Sequence, residues 1–326
     1  MLHISVSSLK DFMTCRRLYY YKRIKKYDRN VFNIPFIVGR VVHSGLGYVL
    51  ERKIDEKTKK PLNPLQRMLE YFKTEKVKAN KEFTLSVEQL EDLNEQEHIT
   101  QSMLAAYMRK YQVMLRDSKL IGSEVEGALQ YGDNVTFVIK LDNLLRVRTK
   151  KILHELKTSK YITPEYVKMI QTDIQSSAYF YLYNEIFPKS PIEEIMYDVI
   201  RKPSIRQKKG GKKSAPESHA AYLQRLTEWY EQKQDMAVFH IERFKSPKIT
   251  QENVFNTLMS VADDMLRSKD KESYYQDFEK CASYYGEICP YYELCHEGGE
   301  IPRNLVLYQI RKSSYKVNKE NKELKG

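Results

Sequence analysis

The residues best suited to chemistry lie in the stretch HELKTSK. Glu155 and Lys157 are two positions apart in it, so a β-strand would point both side chains to the same face. The preceding run NVTFVIKLDNLLRV alternates apolar and polar residues, which leaves Asp142 on the face opposite the apolar set. If the RTKK stretch at 148–151 is a hairpin turn, two adjacent antiparallel strands present all three side chains together. Two carboxylates beside a cation suit Mg²⁺ or Mn²⁺ and a phosphate.

Helices predicted on either side of these strands would bring further polar groups to them. His43 lies in the run FIVGRVVHSGLGYVLERKI, whose apolar residues recur at helical spacing. The small residues around it, Gly45 among them, would permit close approach to the sheet. Downstream, PEYVKMIQTDIQSSAYFYLYNEIF predicts a helix that begins near Pro164. Gln175 and Tyr179 share one face of that helix because they are four positions apart.

The other elements follow from the same kind of pattern. A capping-box spacing at Ser8 predicts an amphipathic opening helix that contains Cys15. The segment 193–203 predicts a strand parallel to the HELKTSK strand, because a crossover helix connects the two. The segment 237–244 predicts the last strand, and a helix follows at about 251–267.

The order of these motifs, a helix with a histidine, two strands with D-x12-E-L-K and a helix with Q-x3-Y, resembles the RecB-like branch of the PD-(D/E)XK nuclease superfamily. That branch includes CRISPR adaptation exonucleases and the AddB nuclease domain. The resemblance implies an α/β fold with a restriction-endonuclease-like core, in which a mixed central sheet is flanked by helices. It also implies that His43, Asp142, Glu155 and the main-chain carbonyl of Leu156 bind the metal ion, while Lys157 positions or helps deprotonate the attacking water.

Charge points to a nucleic-acid partner. The 326 residues include 55 Lys and Arg against 43 Asp and Glu, a net charge of +12, and the pI is near 9.2. In the related nucleases the Q-x3-Y pair, here Gln175 and Tyr179, holds the nucleic-acid backbone. The segment RKPSIRQKKGGKKS lacks acidic residues and is a candidate phosphate-tracking loop. Its basic residues are Arg201, Lys202, Arg206, Lys208, Lys209, Lys212 and Lys213.

The cysteines form a second pattern, with one early residue and a late trio. The trio has spacings of x7 and x5, and the four residues are Cys15, Cys281, Cys289 and Cys295. A zinc site of four thiolates usually shows two close pairs, so zinc and four unrelated buried thiols are the weaker alternatives. The arrangement resembles the 4Fe-4S site of the iron-sulfur RecB-like nucleases, although their commoner trio is C-x2-C-x5-C. The irregular spacing leaves His296 as the alternative to Cys281.

These patterns predict one nuclease domain over residues 1–310. It contains a helical insertion at about 61–117 and cluster-binding parts at 8–27 and 278–298, while 311–326 is expected to be a flexible tail. No apolar run approaches the roughly 20 residues that a membrane span requires, so we expect a soluble, cytoplasmic protein without a membrane partner.

The predicted function is that of a metal-dependent DNA nuclease with Mg²⁺ or Mn²⁺ and a 4Fe-4S cluster. Its expected activity is exonucleolytic, on DNA ends or single strands in recombination, repair or replication. The alternative is a non-catalytic DNA-binding subunit of a recombination or CRISPR adaptation complex, which would have protein partners. Cleavage of linear DNA by the purified protein separates the two hypotheses.

Overall fold

A mixed β-sheet forms the centre of the molecule. The computed structural model describes residues 1–30, 32–57, 59–211, 215–232, 238–282 and 288–311. Six of the described strands form the central sheet and two form a small separate one. The strands are β1 (Leu2–Ser5), β2 (Tyr27–Arg29), β3 (Ser118–Tyr131), β4 (Val135–Val147), β5 (Lys150–Ser159), β6 (Glu194–Arg201), β7 (Phe239–Phe244) and β8 (Tyr308–Ile310).

Helices cover both faces of the sheet. The described α-helices are α1 (Val6–Thr14), α2 (Arg16–Tyr19), α3 (Ile34–Glu51), α4 (Pro64–Phe83), α5 (Val87–Lys110), α6 (Gln112–Asp117), α7 (Pro164–Ile170), α8 (Ile174–Ile186), α9 (His219–Gln232), α10 (Gln251–Arg267), α11 (Tyr292–His296) and α12 (Pro302–Leu305). Helices α4 to α6 occupy the segment predicted as a helical insertion. Within the described ranges, no helix has the length and apolar character that crossing a membrane requires.

The sheet contains a fork at β4. Antiparallel β3 pairs along one edge of β4, and its other edge is shared by parallel β1, at Val135 to Val138, and antiparallel β5, at Asn143 to Val147. Within the described part of the chain, residues 139–142 have no strand partner on this second edge. Opposite Asp142 on β3, Glu124 has a left-handed φ of 50°. The backbone pairing of β4 is therefore irregular along both of its edges at Asp142.

The remaining sheet topology agrees with the predicted pattern. The turn between β4 and β5 consists of residues 148 and 149. Beyond the fork, β5 pairs in parallel with β6, and β7 adds an antiparallel strand to β6. β5 pairs with β4 only as far as His154 and continues beside β6, so Glu155 and Leu156 lie just past the point where β4 and β5 separate.

Two apolar layers enclose the sheet, as expected for a mixed sheet flanked by helices. The layer against α1, α8 and α10 includes Leu9, Ile139, Leu153, Tyr183 and Leu258. The layer against α3, α5 and α9 includes Leu46, Met103, Leu145, Ile152 and Tyr222.

The glycines of α3 differ from their predicted role. A Cβ at Gly45 would lie 2.8 Å from Leu104 on α5 and 2.8 Å from Met68 on α4. Gly45 therefore permits close approach to α4 and α5, whereas the sequence pattern predicted approach to the sheet. The helix contacts the insertion through this small residue and leaves another face exposed.

The opening helix is also shorter than predicted. Its N-cap is Ser5, whose Oγ accepts a hydrogen bond from the Ser8 N–H at 3.1 Å, and Cys15 is extended with φ −164°. The chain resumes helical structure at α2, where Arg17 donates to the carbonyls of Tyr275 (3.1 Å) and Tyr274 (2.6 Å). These long-range bonds compete with continued helix, so the single helix predicted across Cys15 is wrong.

The two ends of the described chain meet in the small sheet. β2 pairs antiparallel with β8. The prediction that 237–244 holds the last strand is therefore wrong, although β7 does lie there and residue 237 is outside the described ranges. The helix predicted at about 251–267 is α10.

Candidate active site

The fork brings the predicted polar side chains together. The Leu156 N–H donates to Oδ2 of Asp142 at 3.5 Å, and the same oxygen lies 3.4 Å from Nδ1 of His43. On β5, Nζ of Lys157 lies 3.1 Å from Oε2 of Glu155. The charge of Asp142 also acts on the pKa values of Glu155 and Lys157, so the side chains from α3, β4 and β5 form one electrostatic unit.

Glu155 is the most unusual member of this group. It is 0% exposed, and its Oε1 has no hydrogen-bond partner among the described residues. Burial raises the pKa of Glu155 to about 7, while the Lys157 ammonium lowers it and Asp142 raises it further. An unpaired, buried carboxylate oxygen is costly in free energy, so this atom suits a bound cation.

Lys157 and His43 have charge states that suit a phosphate and a metal, respectively. Burial by itself would lower the pKa of Lys157, but Glu155 and Asp142 raise it above its ordinary value, so the side chain remains an ammonium. Burial lowers the pKa of His43, and Asp142 opposes that shift. A neutral imidazole is the form that ligates metal ions.

The donor set fits a hard divalent cation. Asp142 and Glu155 supply carboxylate oxygens and His43 supplies an imidazole nitrogen, and the Leu156 backbone contacts both His43 and Asp142. Among the described residues, no three His, Cys, Asp or Glu side chains already surround a single point as metal ligands. Two parts of the candidate metal site are already in place: the contact between His43 and Asp142, and the Glu155 oxygen that has no hydrogen-bond partner among the described residues.

Asp173 is a further site residue that the sequence patterns did not single out. The predicted helix from Pro164 is divided into α7 and α8, and Asp173 caps α8 by accepting from the Gln175 N–H at 3.1 Å. Lys10 lies 3.3 Å from the same carboxylate. The charge of Asp173 raises the pKa values of Glu155 and Lys157, so it lies near them. An Asp before a helical run is an N-cap signal that would have identified it.

The Q-x3-Y pair is divided between the site and the core. Gln175 is half-buried in the first turn of α8, close to the Asp173 cap. Tyr179 is 7% exposed and belongs to the apolar layer against α1 and α8. The structure thus brings the first residue of the pair near the fork and buries the second.

A buried polar triad lies beneath the site on β5 and β6. Nε2 of His154 is 2.9 Å from Oδ2 of Asp198, which also accepts from the Tyr107 hydroxyl of α5. His154 and Asp198 are at most 1% exposed. Sequence reasoning missed this triad because its members are far apart in the chain and match no short motif.

The basic segment after β6 is partly held by acidic residues of α5. Arg206 lies 2.7 Å from Glu95 and Lys209 lies 3.4 Å from Glu91, and both of these basic residues are exposed, as is Lys208. These ion pairs attach the segment to the helical insertion.

The beginning of this segment packs more closely. The Arg201 guanidinium lies 5.6 Å from the Trp229 ring centroid. Burial lowers the pKa of Lys202. Lys212 and Lys213 lie outside the described residues.

The four cysteines come from the break between α1 and α2 and from the C-terminal region. Sγ of Cys15 accepts from the Asp277 N–H at 3.4 Å, and Sγ of Cys281 lies 3.2 Å from Nε2 of His296. Burial raises the pKa of Cys295 to about 11, and the neighbouring charges that raise it further are those of Cys289 and Cys15. The thiols are therefore electrostatic neighbours, although none of the described ones belongs to a ready-made group of three metal ligands.

The comparison with protein families agrees with this architecture. The family model of the PD-(D/E)XK nuclease superfamily matches residues 3–296. No curated protein matches the sequence. A solved structure, the crystal structure of SSO0001, is 14% identical and covers 62% of this chain and 87% of that chain, with a TM-score of 0.20. A similarity this low carries no argument about fold or function.

Proposed function

Because the chain belongs to the PD-(D/E)XK nuclease superfamily, we propose that it is a metal-dependent deoxyribonuclease of the RecB-like branch. We further propose that it acts as an exonuclease on DNA ends or single strands, in recombination, repair or replication. The observation that carries the proposal is the buried Glu155, which has a free oxygen and interacts electrostatically with Lys157 and Asp142, while His43 contacts Asp142. A nuclease needs a cation and a phosphate to meet at such a point.

In this proposal each residue has a separate task. His43, Asp142, Glu155 and the Leu156 carbonyl would hold Mg²⁺ or Mn²⁺, which when bound polarises a phosphate and makes water more acidic. Lys157 would offset charge on the scissile phosphate and orient the attacking water, since the adjacent carboxylates keep it cationic.

DNA contacts would surround this centre. Gln175 would hold the backbone beside the site, and Tyr179 would act with it only if the core around it opens, because it is buried. The contacts farther out would be Arg201, Lys202, Arg206, Lys208 and Lys209. Arg206, Lys208 and Lys209 are all exposed, and Arg206 and Lys209 would exchange Glu95 and Glu91 for phosphate.

The salt dependence of binding tests this loop. Converting Lys208 and Lys209 together to Ser should flatten the plot of log affinity against log salt by about 0.7 to 0.9 per lost phosphate contact. An unaltered slope would show that the loop contributes nothing to DNA binding.

We also propose that Cys15, Cys281, Cys289 and Cys295 hold a 4Fe-4S cluster with a structural role. The mutual electrostatic influence of these thiols supports it, as does the extended backbone at Cys15. Anaerobically purified protein should be brown and contain about four irons per chain. Zinc without iron would overturn this assignment and leave the nuclease proposal standing.

The nuclease proposal is tested with labelled DNA and Mn²⁺ or Mg²⁺. Linear single strands and duplexes, each with one end blocked in turn, should be degraded from the free end, while circular single strands persist. Glu155→Gln protein is the control for contaminating nucleases. Binding of every substrate without cleavage of any would favour the alternative, a non-catalytic DNA-binding subunit of a larger recombination or CRISPR adaptation complex.

A further inference from the structure

One face of α3 forms an open stripe that ends at the active site. Phe36, Arg40 and His43 are three or four positions apart, so they lie along the same face of this helix. Phe36 is 64% exposed, and the side chains of Arg40 and His43 are 44% and 33% exposed. The stripe therefore connects an exposed aromatic ring to a residue of the proposed metal site within two helical turns.

The glycines of α3 show that space remains beside this stripe. Apart from its chain neighbours and the adjacent backbone of α3, a Cβ at Gly39 or at Gly47 would have no described atom within 4 Å, whereas the same atom at Gly45 would collide with Leu104 and Met68. The helix is thus packed on its Gly45 side and open on the side of Gly39 and Gly47. These two positions flank His43 in sequence, so the open space extends past the site in both directions.

A cleft of about 680 Å³ adjoins the first turns of this helix. It lies where α3, the insertion helix α4, β2 and the C-terminal region meet. Its lining combines four aromatic rings with five basic and three acidic side chains. Among the lining residues are Phe36, Arg40, Lys78 and Glu75.

The charges in this cleft are organised around one carboxylate. Glu75 is only 4% exposed, and it pairs with Arg40 at 2.6 Å and with Lys78 at 3.0 Å. A single carboxylate balances one of these cations, so a positive charge remains for an anionic ligand. The Arg40 guanidinium also stacks at 4.9 Å from the Phe36 ring centroid, which orients both groups over the cleft.

We propose that this cleft and the open face of α3 bind a single strand of nucleic acid and lead it to the fork. The inference rests on the proposed nuclease function and adds the path of the substrate. Exposed rings such as Phe36 stack on unpaired bases, which a duplex keeps inside, while Arg40 and Lys78 would follow the phosphates. A single exposed aromatic residue is ordinary on a protein surface. Phe36 differs because it lies on the open face of α3 and also lines the cationic cleft.

The test measures binding, so it does not depend on cleavage. Fluorescence anisotropy of labelled oligothymidylate is recorded without divalent ions for wild-type protein, Phe36→Ala and Gly39→Leu. We expect each variant to weaken binding by about tenfold, because Phe36→Ala removes one stacking ring and Gly39→Leu fills the groove. Tyr131→Ala, which removes a 48% exposed ring from the far end of β3, is the matched control and should bind like wild type.

A second probe separates the single-strand path from general attraction to phosphates. The same variants should bind a labelled duplex with affinities within about twofold of wild type, since paired bases cannot stack on Phe36. Equal weakening for both probes, or wild-type affinity of Phe36→Ala and Gly39→Leu for the single strand, would overturn the proposal. If wild-type protein binds as expected but cleaves no DNA, the nuclease proposal fails and this path remains supported.

Discussion

Different kinds of interaction stabilise the strand fork and the cysteine region, which surrounds Cys15, Cys281, Cys289 and Cys295. At the fork, backbone pairing of β4, β5 and β6 determines where Asp142 and Glu155 lie. The cysteine region has short helices and depends on side-chain bonds between distant segments, such as Tyr21 to the Leu294 carbonyl (3.0 Å) and Arg29 to Glu293 (2.6 Å). A β-ladder positions groups through many repeated bonds, whereas the second region relies on a few individual contacts.

The two regions also differ in charge. The fork buries a carboxylate next to an ammonium, and both remain capable of ionic interactions. In the cysteine region burial raises the pKa values of Cys289 and Cys295, so their free thiols are neutral near pH 7. The comparison predicts that changes at the fork affect chemistry first, while changes at the cysteines affect folding first.

The largest effect is expected at Glu155. Glu155→Gln keeps the size of the side chain but removes its charge, so the rate of metal-dependent cleavage should fall by about 100-fold or more. The thermal midpoint should change little, because the β-ladder holds the strand. Glu126→Gln on the exposed edge of β3 is the control and should cleave normally. Cleavage by Glu155→Gln at close to the wild-type rate would remove Glu155 from the site.

At the cysteines we expect a large effect on stability and a smaller direct effect on cleavage. Cys15→Ala should lower the free energy of unfolding by several kcal/mol, if a bound cluster contributes to folding. Iron content and thermal midpoint should fall together. Met13→Ala, a neighbouring change at a 51% exposed position, should preserve both. A Cys15→Ala protein with full iron and unchanged stability would show that this thiol is no ligand.

The buried triad beneath the fork should behave as a structural part of the sheet. Asp198→Ala leaves the His154 imidazole and the Tyr107 hydroxyl without their shared acceptor, which should cost about 3 kcal/mol of stability. Denaturant unfolding with and without Mn²⁺ would measure it, and the loss should be the same in both. A loss seen only with Mn²⁺ would instead connect the triad to metal binding.

The smallest expected effect is a pH-dependent change in stability that comes from the ion pairs of Glu194. A hydrogen bond from Lys150 lowers the pKa of Glu194 below its ordinary 4.5, burial opposes this, and Arg243 lowers it further. A lowered pKa stabilises the folded state above about pH 4.5, and this stabilisation disappears as the pH falls through the folded-state value.

Glu194→Gln should therefore be less stable than wild type at pH 7 by about 1 kcal/mol, since its partners are largely solvent-exposed. The difference should vanish in acid. Glu193→Gln, at the exposed neighbouring position, serves as the control in the same urea titrations. A difference between wild type and Glu194→Gln that grows as the pH falls would contradict the assigned direction of the shift.

Much of the β4 and β5 strand pair was predictable from local sequence. Side-chain alternation indicated the faces of β4 and β5, the turn at residues 148 and 149 follows from the RTKK stretch, and β6 is parallel to β5 as a crossover requires. The superfamily was likewise predictable and is confirmed by the family model. These features depend on residues close in sequence or on the order of motifs, both of which can be read directly from the chain.

Tertiary structure decided the rest. No local pattern indicated that β1 and β5 share an edge of β4, and this arrangement opens the fork at Asp142. The break at Cys15 depends on bonds from Arg17 to residues more than 250 positions away. Asp173 joins the site only because α8 packs beside the sheet. Alternation determines which face a side chain takes, but the contact it makes there depends on which distant segments gain the most free energy by packing together.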